Sequence, residues 1–88
     1  MLRTNHETCL HALVEASKIK DAEAEKFARL AERFAFRACM LAMSDYDIDV
    51  ESSLGVALDN LKNCVNILNS NYNISVDYLL ENFQIKDK

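Results

Sequence analysis

The chain has 88 residues, 50% of them apolar, with a net charge of −4, no proline and one glycine, Gly55. That is length for one small domain, with too little turn punctuation for a sandwich or barrel. The acidic balance disfavours nonspecific binding to nucleic acid, and a single glycine rules out a glycine-rich phosphate loop.

The first predicted helix covers about residues 5–17. Thr4 and Glu7 have capping-box spacing, with Thr4 accepting from the Glu7 N–H and Glu7 reaching back. Its apolar stripe is Leu10, Leu13 and Val14, edged by Cys9 and Ala16. The opening of this helix reads Asn5-His6-Glu7-Thr8-Cys9-Leu10-His11, which invites a metal or catalytic reading. Helical geometry argues against it. At about 100° per residue, His6 and Cys9 lie about 60° apart, but His11 lies about 140° from His6 and about 160° from Cys9. One ion cannot meet all three, and the zincin pattern needs histidines four apart, not five. No metal or cofactor is expected; Glu7 caps, Cys9 packs and the histidines flank the stripe near solvent.

Asp21 is the expected cap of a second helix over about residues 22–43, rich in alanine and other strong helix formers. A short acidic turn, Ser44 to Asp49, follows. Asp45-x-Asp47-x-Asp49 opens like a calcium-binding loop, but positions 6 and 12 hold Val50 and Val56 where glycine and a bidentate glutamate belong. It reads as a solvated turn whose last aspartate caps the next helix. The third helix, about residues 50–71, carries the clearest period: Leu54, Ala57, Leu58, Leu61, Val65, Leu68 and Tyr72. Val56, Asn60, Asn63 and Ile67 form a side strip that suits a second contact surface. Asn69 to Asn73 reads as a turn. The fourth helix, about residues 76–83, is short. Ser75 is its expected cap, Ile74 can staple onto Leu79, and Val76, Leu79, Leu80 and Phe83 form its buried face. The tail from Gln84 should fray.

Cys9, Cys39 and Cys64 form no CxxC pair and fall on or near apolar faces, which suggests reduced thiols in a reducing compartment. The N-terminus shows no apolar leader stretch. The longest apolar run, Ala38 to Met43, is too short to span a membrane. A cytoplasmic location is expected, which leaves the Asn73-Ile74-Ser75 sequon without a role.

The second helix holds the functional information. Ala24, Ala28, Ala31, Ala35, Ala38 and Ala42 form a seam of small side chains that lets another helix come close. Phe27, Leu30, Phe34 and Leu41 form an adjoining band, and the two together are expected to be one broad buried surface. Lys26, Arg29, Arg33 and Arg37 occupy a third face. Glu25 can pair with Arg29, but Arg33 and Arg37 have no acid at three or four positions on either side; across an antiparallel hairpin Asp59 of the third helix is expected near the level of Arg33. Phe36, Met40 and Met43 border the row.

The expected fold is all-α: a small four-helix arrangement with a central antiparallel hairpin of two long helices and two shorter helices flanking it. The expected function is non-enzymatic. It is a small cytosolic protein-binding module, such as an adaptor, inhibitor or antitoxin-like regulator. The partner-binding residues are Lys26, Arg29, Arg33, Arg37, Phe36, Met40 and Met43, facing an acidic protein partner. The apolar excess also suits a homodimer. A dimeric nucleic-acid-binding regulator is the alternative, less favoured because no basic surface interleaved with aromatics appears. No catalytic site and no membrane association are expected.

Overall fold

The computed structural model describes residues 2–44 and 47–84, with residues 47 and 48 by their backbone alone. These residues form α1 (Leu2–Ile19), α2 (Ala22–Met43), α3 (Asp47–Tyr72) and α4 (Tyr78–Asn82). The arrangement is all-α, with the pairing of α2 on α3 the most extensive and α1 and α4 flanking it.

The α2 boundaries are those expected, and the reason is local. Asp21 is extended and its side chain accepts from the Ala24 N–H at 2.9 Å, which satisfies one of the orphan donors of the first turn. Tyr72, at the end of α3, donates its hydroxyl to the other Asp21 oxygen at 2.5 Å. The start of α2 therefore lies beside the end of α3, and the two helices run antiparallel. Between α1 and α2 the chain turns within two residues. Lys20 makes the turn in the left-handed region, φ 54°, with its N–H returning to the Ser17 carbonyl.

Two helix starts differ from the sequence reading. α1 begins at Leu2, so Thr4 is already helical and the Thr4–Glu7 capping box does not form. Thr4 instead accepts, through its carbonyl, a bond from the Thr8 hydroxyl at 2.8 Å. Likewise α3 starts at Asp47 rather than after Asp49, so Asp49 lies in its first turn, where a carboxylate still favours the helix dipole. Most of the suspected calcium loop is thus helix; Asp45 lies outside the described residues.

The buried face of α1 also differs. Leu10 is 39% and Val14 52% exposed, whereas Asn5, Thr8, Cys9, Ala12 and Ala16 are buried. α1 turns its small side chains inward because its neighbour α2 does the same. Five α2 alanines, Ala24, Ala28, Ala31, Ala35 and Ala38, are completely buried; Ala42 is only partly covered. Bulk comes from α3, whose Leu54, Leu61 and Leu68 are fully buried at seven-residue steps. Phe27 and Phe34 are partly buried and pack against this core, while Leu30 and Leu41 are also only partly covered. The band beside the alanine seam is therefore a rim and not the core expected of it.

Ile67 joins the core and Tyr72 is 41% exposed. The proposed side strip on α3 therefore loses its largest member to the interior. Asn60 donates to its own helix, to the Val56 carbonyl at 2.9 Å.

α4 is shorter than expected. Ser75 does not cap it; Asp77 occupies that position, makes no cap bond, and accepts from the Asn69 side chain at 3.0 Å. Asn73, at φ 56°, ends α3, and the Ile74 N–H returns to the Leu68 carbonyl. Val76, Leu79 and Phe83 are buried as expected and Leu80 is partly so. Of the tail expected to fray, residues 85–88 lie outside the described residues, and Gln84 is held. Asn5, buried in α1, accepts from the Gln84 N–H at 2.9 Å and donates to its carbonyl at 2.5 Å, pairing one side chain with both backbone groups of Gln84.

Candidate functional site

The outer face of α2 follows from its inner one. A helix that spends its 0° side on alanine packing must present the opposite 180° to solvent, and the residues there are Lys26, Arg29, Arg33 and Arg37. All four are exposed, as are Phe36 (51%), Met40 (49%) and Met43 (80%). Four-residue steps put Arg29, Arg33 and Arg37 about 6 Å apart along the axis, each rotated about 40° from the last.

The nearby carboxylates are committed elsewhere. Glu25, partly buried, reaches the exposed Arg29 at 3.6 Å. Such a pair adds little to stability, but it takes up Glu25. Glu32 turns away from the row toward α1, where its Oε2 lies 2.7 Å from His6 Nε2. The His6 ring in turn stacks obliquely on Phe36, with centroids 5.6 Å apart. Among the described residues, no carboxylate lies within 4 Å of Arg33 or Arg37, and Asp59 is exposed and pairs with neither. Lys26 sits 5.7 Å over the Phe27 ring, a weak attraction at an exposed site.

Two shallow depressions lie along the row. One, about 390 Å³, is walled by Ala22, Glu25, Lys26, Arg29, Leu30 and Arg33; the other, about 430 Å³, by Leu30, Arg33, Phe34 and Arg37. Sequence reasoning placed the apolar border of the arginines only at Phe36, Met40 and Met43. The opposite border, Leu30 and Phe34, had been assigned to the core. The 3.6-residue period could have shown both residues at the edge of the apolar arc; their size argued for burial instead.

The other chemistry-bearing groups have structural places. Burial pushes the Cys9 thiol up to about 12, with Glu32 and Cys64 adding to the rise. Burial, with a contribution from Asp21, pushes Cys64 up to about 11. A protonated thiol is a poor nucleophile and a poor ligand, so these two act as core side chains. His6 and His11 part company as the helical angles require: His6 turns to Glu32, and His11, with Glu7, borders a depression of about 190 Å³ shared with Tyr78 and Asn82 of α4. Among the described residues, no three His, Cys, Asp or Glu side chains gather as a metal site would need, and no helix is long and apolar enough to cross a membrane.

No family model matches the chain, and neither curated proteins nor solved structures give a match.

Proposed function

We propose that this protein is a small cytosolic binding module that occupies an acidic protein partner through the outer face of α2. The observation that carries this reading is the state of Arg33 and Arg37. They are solvent-exposed, have no described carboxylate within 4 Å, and lie beside three large apolar side chains that are about half exposed or more. Arginine's planar fork meets a carboxylate with two parallel hydrogen bonds. Flanking Phe36, Met40 and Met43 supply area that is lost from water on docking. Arginines and large apolar groups together are the usual composition of interface anchors.

The test is a triple reversal, Arg29→Glu, Arg33→Glu and Arg37→Glu, in a tagged form expressed in its native cytoplasm. The circular-dichroism helix signal should be unchanged, because all three side chains are exposed, and capture of the partner should be abolished. A partner retained by the variant would overturn the reading. The competing reading is a dimeric nucleic-acid regulator presenting two basic rows. A gel shift at low salt that collapses as salt rises would replace the first reading with this one.

A further inference from the structure

We infer that the occupant of this face is an acidic amphipathic α-helix, lying along α2 with apolar side chains in the two depressions beside Leu30 and Phe34 and carboxylates on Arg29, Arg33 and Arg37. The inference rests on the functional reading above and adds the partner's form.

Three observations lead to it. The first is charge. A second copy docked isologously would bring like surface to like and set one arginine row against another, a juxtaposition that disfavours association. The occupant must carry the opposite charge on the contacting strip.

The second is the kind of surface. The face is the outside of one continuous helix, whose backbone N–H and C=O groups are spent on its own ladder. It offers side chains only. An extended peptide would need a strand edge to satisfy its backbone, and against Leu30 and Phe34 its polar groups would lose water without finding partners. A helix arrives with those groups already bonded.

The third is spacing. The two depressions share Leu30 and Arg33 and succeed each other along α2 between Ala22 and Arg37, a length of about 22 Å. Leu30 borders both and Phe34 the second, with arginines opposite them; Glu25, paired with Arg29, also borders the first. A helix of about four turns would place apolar residues at three- and four-residue steps into them. Acids one position round the same helix would repeat at the 6 Å interval of the arginines. This is ridge-into-groove packing with a charged flank.

The experiment is a display library of random peptides, about 15 residues long to match that length. It is selected on the full chain, and the winners are then scored against the Arg33→Glu variant. Arg33 walls both depressions and is exposed, so its reversal removes the site without touching the core. The expected winners carry Glu or Asp at three- and four-residue steps beside an apolar stripe. A proline placed mid-peptide should weaken binding at least about tenfold by breaking the helix, and Leu30→Glu should do the same. Winners that tolerate the proline would overturn the helical occupant and leave the acidic-partner reading standing. Winners indifferent to both Arg33→Glu and Leu30→Glu would remove both readings. No enrichment, or an Arg33-dependent dimer of the chain in sedimentation, would also overturn the inference.

Discussion

The two sides of α2 are written in the same four- and three-residue steps, and they do opposite things. On the inner side, five alanines are wholly buried and contribute almost no side-chain volume. They set a distance, letting α1 and α3 approach the α2 backbone closely, while Leu54, Leu61 and Leu68 of α3 supply the bulk. On the outer side, long side chains project into water and set charge and reach. The inner face should therefore be intolerant of added atoms, and the outer face tolerant in stability but sensitive in binding.

The strongest way to break this comparison is Ala35→Leu. Three extra carbons must fit between close-packed backbones, so unfolding free energy should fall by about 3 kcal/mol, the upper end of overpacking costs, measured by urea denaturation. A neutral result would mean that the alanine seam is loose. Next is Asn5→Ala, which strips both partners from the Gln84 backbone. Stability should fall by about 1–2 kcal/mol, with hydrogen exchange at the Gln84 amide accelerated. An unprotected Gln84 amide in the wild type would show that the clasp is not formed.

A smaller effect lies at the hinge of the comparison, where α2 meets α3. The Tyr72 hydroxyl and the Ala24 N–H hold the Asp21 carboxyl below its ordinary value of 3.8, and the same bond to Asp21 raises Tyr72 above 10.0. The Asp21 contribution is present above about pH 4 and is lost as pH falls through its lowered folded value. The Tyr72 contribution is present below pH 10 and is lost as pH climbs through its raised one. Asp21→Ala should lower the melting temperature by a few degrees at pH 7 and by less at pH 3. An equal shift at both would disconnect the carboxylate from stability. The smallest expected effect is Arg33→Glu, which should leave stability within about 0.5 kcal/mol; a larger loss would give Arg33 a structural role.

The legibility of the fold differed by element for physical reasons. α2 could be read to its boundaries because an Asp cap, an alanine period and a polar face all agree. α1 could not, because its interior is made of polar and small residues. Asn5 and Thr8 look like surface positions, and only the packing partner shows that Asn5 pairs with a backbone 79 positions away. Leu10 and Val14 looked like core by hydropathy, yet they are exposed because α2 offers alanines, against which small residues fit better. The arginine row was visible in the sequence as a row. That Glu32 leaves it for His6, and that Leu30 and Phe34 open beside it, depended on where α1 and α3 stand.

By itself, then, the sequence determined the helical class, the order of the helices and the alanine and arginine faces of α2. These follow from residue period, capping and the absence of turn residues, all of which act within a few positions. Only the tertiary structure decided which side chains of α1 are inside, how Asn5 is joined to Gln84, and which charges remain without a described partner. Those outcomes depend on the volume and hydrogen-bonding groups that a neighbouring helix presents, and no local spacing encodes them.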